Sequence, residues 1–156
     1  VLGAGEASKH LAGGDVDLTY SGACWSGPKA FEEAGVKPTD IKYASIYDSF
    51  TITVLETLED LGFCEKGKGG AFVSDGNLIS GVGKLPFNTD GGGLCNNHPG
   101  NRGGMTKVIE AARQIRGEAH PKVQVPNCDI ALAHGTGGLL GARMGSATLI
   151  LGSEAA

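Results

Sequence analysis

Apolar and polar positions change period several times along the chain, and each change marks an element. The stretch Ser26-Gly-Pro-Lys-Ala-Phe-Glu-Glu-Ala-Gly35 puts Pro28 near a first helical turn and Gly35 just past a last one, which predicts a short helix. Ile41 to Tyr47 is short and rich in strand formers. Asp48 or Ser49 is placed to cap a second helix, whose apolar positions Val54, Leu55, Leu58 and Leu61 keep helical spacing until Gly62. In the glycine-rich stretch from Gly62 to Gly93, Ala71-Phe72-Val73 and Leu78-Ile79 flank the turn-forming Ser74-Asp75-Gly76-Asn77, which predicts a β-hairpin excursion. Asp90-Gly91-Gly92-Gly93 then leads through Leu94-Cys95-Asn96-Asn97-His98-Pro99-Gly100 into a helix closing at Gly117, its inner face read as Met105, Val108, Ile109, Ala112 and Ile115. Asp129 to Ala133 reads as a buried strand, His134 to Gly138 as a sharp turn, and Ser146 to Leu151 as a closing strand antiparallel to its neighbour.

Strands alternating with helices predict an α/β layered domain, a mixed sheet covered by helices. Residues 1–27 are small and polar with little periodicity, and are expected to need contacts with preceding sequence or a partner. The division this suggests is a linking segment over 1–25 and a domain over 26–156. Because residue 1 is valine and not methionine, the chain reads as part of something longer.

Composition narrows the function classes. A net charge of −4 supplies no basic footprint for nucleic acid or an anionic membrane. No apolar run approaches the ~18–20 residues needed to span a bilayer, and no signal-type stretch opens the chain, so a cytoplasmic protein is expected. Cys24, Cys64, Cys95 and Cys128 are widely spaced without a Cys-x-x-Cys pair, so no metal knuckle or dithiol redox motif is written and buried reduced thiols are expected. The outlier is glycine: 27 of 156 residues, clustered between periodic segments, as in loops that let the backbone approach a ligand closely.

Three of those loops carry ionisable or polar groups at strand ends or beside glycines: Tyr47-Asp48-Ser49-Phe50, Asn97-His98-Pro99-Gly100 and His134-Gly135-Thr136-Gly137-Gly138. Sites in α/β folds gather at such strand ends. The glycines after His134 lack both the Lys-Ser/Thr of a P-loop and the spacing of a dinucleotide site, which excludes nucleotide binding on those patterns.

Taken in order, the three loops, the glycine run before Asn97-His98-Pro99-Gly100 and the Gly137-Gly138 turn resemble the C-terminal domain of thiolases, in particular the sterol-carrier or lipid-transfer branch, from about Ser26 to Gly152. In that family the first loop commonly reads His-Asp-Cys-Phe or Asn-Glu-Ala-Phe, the second Gly-His-Pro, and the third Cys-x-Gly followed by glycines. The match is closest at the second. The resemblance implies that His98 orients or activates a nucleophilic cysteine of the N-terminal half and helps polarise the substrate carbonyl, with Asn97 beside it in the substrate site. Tyr47 stands where the family has His or Asn, and as a phenol it keeps a hydrogen bond to donate at neutral pH. His134 stands in place of the family's second cysteine, which moves the α-carbon proton, and an imidazole can serve as a general base there. The backbone N–H groups of Gly135 and Thr136 are candidates for oxyanion support.

The resemblance further implies a coenzyme A thioester as substrate and no permanently bound cofactor or metal. The partners it implies are an N-terminal thiolase half, a second copy in a homodimer, and a small zinc-ribbon/OB-fold acyl-CoA-binding protein. An isolated domain is expected to be inactive and to expose apolar surface that the other half covers. Three activities are compatible with these residues. One is acyl transfer of thiolase type, making or breaking a C–C bond next to the thioester. Another is retro-aldol cleavage of a branched or sterol-side-chain β-hydroxyacyl-CoA, which the Tyr47 and His134 replacements favour. The last is a non-catalytic acyl-CoA-binding subunit.

Overall fold

The computed structural model describes residues 1–10, 15–96, 98, 103–138 and 145–154. It has the expected α/β layering around a four-stranded sheet. The strands are β1 (Gly3–Ser8), β2 (Tyr43–Ile46), β3 (Ile130–Gly137) and β4 (Gly145–Gly152), in the order β1-β4-β3-β2. β4 is antiparallel to β1 and to β3, whereas β2 and β3 are parallel. Between β2 and β3 the chain runs through α2 (Thr51–Asp60), the short α3 (Gly69–Phe72) and α4 (Gly92–Cys95), and the long α5 (Gly103–Arg116); α1 (Ala23–Ala34) lies between β1 and β2. A parallel pair needs such a crossover, and it brings the C-terminal ends of β2 and β3 side by side. No helix among the described residues is long and apolar enough to cross a membrane.

Alternation along the strands builds a core on each face of the sheet. Ala44, Ile46, Leu132 and Ile150 pack with Ala30 and Phe31 of α1 and Leu58 of α2. Tyr43, Ala131 and Ala133 turn to the opposite face and pack with Ala111 of α5, Val125 and Cys128. All four residues of β2 are buried, as befits a parallel strand covered on both faces. Gly35 and Gly117 end α1 and α5 with positive φ, where sequence reading put them.

Besides the turn expected at His134, which is strand, and Pro28, which lies inside α1 and not near its first turn, four local expectations differ from the structure. Residues 3–8, read as part of an unpatterned linking segment, form an edge strand. Their periodicity is faint because Gly3 and Gly5 lie directly under α1, where a Cβ on Gly3 would come within 2.7 Å of the Ala34 nitrogen. The hairpin expected around Ser74-Asp75-Gly76-Asn77 is instead α3 followed by a 3-10 turn at Ser74–Gly76. Positive φ at Asp75 and Gly76 serves that tight turn, and Asn77 closes the loop by donating to the Phe72 carbonyl at 2.8 Å and accepting from the Lys84 N–H at 3.1 Å. Two strands that short make a marginal hairpin by themselves. Neither Asp48 nor Ser49 caps α2; Phe50 occupies the cap position.

The last difference is the face of α5. The residues it buries are Gly103, Lys107, Glu110, Ala111 and Gln114, while Met105 and Ile109 are 61% and 45% exposed. Val108 and Ile115 are partly buried against the core. The inward side is polar because a network occupies it: Thr89 donates to Glu110 at 2.7 Å, Gln114 Nε2 donates to the Val123 carbonyl at 3.1 Å, and Gln114 Oε1 accepts from the Val125 N–H at 2.8 Å. A hydrogen-bonded polar network beneath a helix, joined here by the buried Lys107 ammonium 3.7 Å from the Asp90 carboxylate, reverses the face that hydrophobic periodicity selects.

Candidate active site

Residues of all three sequence motifs meet at the C-terminal ends of the parallel strands, the third through its backbone and glycines and not through the His134 side chain. Tyr47 follows β2 directly, and its backbone N–H donates to the His134 carbonyl at 2.9 Å, which fixes where its ring leaves the sheet. The ring turns to the α5 side, like Tyr43 and Ser45 before it, and stacks against Gly103 at the start of α5. A Cβ on Gly103 would lie 2.8 Å from Tyr47 Cζ and 3.0 Å from Cδ2, so only glycine leaves the ring its place. The Tyr47 hydroxyl is hydrogen-bonded to Nδ1 of His98, with ring centroids 5.5 Å apart and planes tilted by 42°. Tyr47 is buried to all but 7% and His98 is exposed, so the pair spans from the protein interior to solvent. Burial, and next the charge of Asp48, raises the Tyr47 phenol above its ordinary pKa and keeps it protonated at neutral pH.

The pair opens onto a cleft of about 970 Å³ lined by Gly104, Gly135, Thr136, Gly137, Gly138 and residues of β1 and β4. Peptide groups alternate in direction along a strand. Since the His134 carbonyl accepts from Tyr47 on the β2 side, the peptide groups of Thr136 face that same edge, beyond Ile46 where β2 has ended, and those of Gly135 face β4. Thr136 therefore presents an amide toward the cleft, and Gly135 contributes a close approach instead: a Cβ there would sit 3.4 Å from the Gly104 Cα.

The structure does not bring the His134 side chain to this pair. His134 lies within β3, not in a turn, and alternation sends its imidazole to the α1 face with Leu132. It is wholly buried; Nδ1 bonds Thr148 Oγ1 at 2.8 Å, which in turn meets Ser26 Oγ at 2.9 Å, and Nε2 has no hydrogen-bond partner among the described residues. Burial pushes its pKa down to about 4. Asn97 lies outside the described residues. None of the four cysteines lines the cleft; Cys128 is buried under the sheet and Cys95 is exposed on α4. Sequence reading missed Asp48 as a builder of the site and gave Gly103 no role. The one signal for Gly103 was a Gly-Gly pair opening a helix, where glycine is otherwise unfavourable.

A family model described as thiolase C-terminal domain-like matches residues 5–153. The chain belongs to that family. Among curated relatives, this thiolase-like domain is 39% identical over 109 residues to sterol carrier protein 2 of Oryctolagus cuniculus, covering 70% of the chain and 20% of the relative. It is 38% identical over 123 residues to an acetyl-CoA acetyltransferase of Methanothermobacter thermautotrophicus, covering 79% of the chain and 30% of the relative. The thiolase-like domain thus spans a fifth to under a third of the length of these relatives. Among solved structures it resembles the Ltp2-ChsH2(DUF35) aldolase with a TM-score of 0.81 and 33% identity, over 97% of this chain and 38% of that one.

Proposed function

We propose that this domain is the C-terminal half of an enzyme that cleaves a carbon–carbon bond beside a coenzyme A thioester, and that the cleavage is a retro-aldol reaction of a β-hydroxyacyl-CoA. The observation that carries the reading is the Tyr47 hydroxyl on His98 Nδ1 at the mouth of a glycine-lined cleft that His134 does not enter. A phenol with a raised pKa is a poor base alone. Joined to an imidazole it relays a proton: Tyr47 takes the proton of the substrate β-hydroxyl as its own passes to His98 Nδ1. The Cα–Cβ bond then breaks, a carbonyl forms at Cβ, and the electron pair of the broken bond moves to the α-carbon as a thioester enolate. The Thr136 amide stabilises the enolate oxygen. Return of the proton through the pair to the α-carbon releases a shorter acyl-CoA and a ketone or aldehyde, so substrate atoms balance product atoms. Similarity to an aldolase structure over nearly the whole chain supports this choice.

Thiolase-type acyl transfer is the second reading, favoured by His98 at the family's histidine position and by the similarity to an acetyltransferase. In it a cysteine of the N-terminal half forms the acyl-enzyme and His98 activates that cysteine. Either way the N-terminal half packs here and covers the exposed Met105 and Ile109 of α5. A homodimer and an acyl-CoA-binding partner of zinc-ribbon/OB-fold type complete the assembly we envisage, with the CoA thioester as substrate and no resident cofactor.

The test is an assay of the full chain, with its partner, on two substrates: a β-hydroxyacyl-CoA with a branched tail, and a 3-oxoacyl-CoA with free CoA. Cleavage of the first without added CoA supports the retro-aldol reaction. Thiolysis of the second alone replaces it with acyl transfer, and inactivity on both leaves an acyl-CoA-binding subunit. Tyr47→Phe is expected to lower kcat by about 10²-fold or more without a change in folding.

A further inference from the structure

Asp48 is a buried carboxylate, 6% exposed, that leaves β2 next to Tyr47 and points into the backbone of the glycine run. Oδ1 accepts the Gly93 N–H at 2.5 Å and Oδ2 the Leu94 N–H at 3.3 Å, so both oxygens are held by the first turn of α4. The glycines permit this approach: a Cβ on Gly92 would lie 2.8 Å from the Asp48 carboxyl carbon, and one on Gly93 3.1 Å from Oδ1. The loop is tied at its start as well, where Asp90 accepts the Gly92 N–H at 3.0 Å and its carbonyl accepts the Asn96 side-chain amide at 2.9 Å. His98 follows Cys95, the last residue of α4, by three positions.

We infer that Asp48 is a positioning residue: by gripping the amides of Gly93 and Leu94 it sets the loop that carries His98, so that His98 Nδ1 meets the hydroxyl of the adjacent Tyr47. One dipeptide then supplies both the phenol and the clamp for its partner, and the Gly91-Gly92-Gly93 run is the surface the clamp holds. Charge-assisted bonds to backbone amides are stronger and geometrically stricter than neutral ones, which suits a carboxylate for the task. The same charge helps keep the phenol protonated. The inference rests on the reading of Tyr47 and His98 as an acid–base pair only for its catalytic consequence; the clamp itself is a matter of geometry.

The experiment uses the full chain with 15N-labelled histidine and compares wild type, Asp48→Asn, Tyr47→Phe and the double variant. In Asp48→Asn the His98 Nδ1 resonance is expected to move in the same sense as in Tyr47→Phe, because both lose the hydroxyl contact. Its kcat should fall by about 10²-fold with KM changed less than ~3-fold, since a displacement of about 1 Å costs that much. In the double variant Asp48→Asn should add less than ~2-fold to the loss from Tyr47→Phe, as for two residues acting through one contact. A wild-type His98 resonance in folded Asp48→Asn, or losses that multiply in the double variant, would overturn the inference. Should Asp48→Asn fail to fold, Gly93→Ala, which crowds Oδ1 and leaves the charge, gives the same readout. A shifted His98 resonance together with full turnover of Tyr47→Phe would uphold the clamp and overturn the catalytic reading of the pair.

Discussion

Gly103→Ala is a one-methyl change that tests the site from the outside. The added carbon would overlap Tyr47 Cε2 and stand 2.8 Å from Cζ and 3.0 Å from Cδ2, against an ordinary carbon–carbon separation of about 3.5–4.0 Å, so the ring or the start of α5 must give by more than about 1 Å. A shift of that size breaks the short contact between the Tyr47 hydroxyl and His98, and a misplacement of about 1 Å costs on the order of 10²-fold in rate. Stability moves less. Overpacking costs about 1–3 kcal/mol, and the gain in helix propensity from glycine to alanine returns up to about 1 kcal/mol. Activity should therefore fall much further than folding does. The assay is kcat on the β-hydroxyacyl-CoA beside a urea melt, with Gly70→Ala as control, because a Cβ at Gly70 meets nothing within 4 Å. Wild-type kcat in Gly103→Ala, or a loss no larger than its fraction unfolded, would refute the argument that the Tyr47 ring is held in place by the missing side chain.

Further outcomes follow from the buried polar groups. His134 has a folded pKa near 4 against 6.5 in the unfolded chain, so the folded state binds fewer protons between those values. Its share of stability is full above pH 6.5 and is lost as pH falls toward 4, up to about 3 kcal/mol; urea midpoints at pH 7 and pH 4.5 should therefore separate more for wild type than for His134→Gln. Removal of the Gln114 amide strands the Val125 N–H and breaks the bonds to Thr89 and Val123, so Gln114→Ala should destabilise by about 2–4 kcal/mol in a urea melt while KM stays unchanged.

Much of the architecture was legible because local chemistry and fold agree. Gly35 ends α1, although the helix begins at Ala23 and holds Pro28 in its interior and not in its first turn; the run from Tyr43 to Ile46 has the continuous burial of a parallel strand, and Gly117 stops α5. Where the reading failed, a non-local contact overrode a local preference. The β1 strand shows only faint alternation in its sequence because its glycines let α1 lie on it, and α5 turns Glu110 and Gln114 inward because Thr89 and Val123 complete their hydrogen bonds, with Lys107 buried 3.7 Å from the Asp90 carboxylate. The loop after Gly62 uses Asp75-Gly76 in a helical turn because Asn77 closes it and its apolar neighbours reach the core beneath α2.

The site divides in the same way. Sequence picked out Tyr47 and His98 as polar groups at a strand end and beside glycines, each with an ordinary structural role open to it, and the order of the three loops sufficed to name the family and to single them out. Only the tertiary structure decided that these two residues meet and that His134 does not join them. A period-two strand sends neighbouring side chains to opposite faces, so His134, read as the first residue of a turn, lies instead inside β3 with its imidazole on the α1 face. The part given to Asp48 was likewise invisible, because its partners are the amides of Gly93 and Leu94, and a backbone donor has no letter of its own in a sequence.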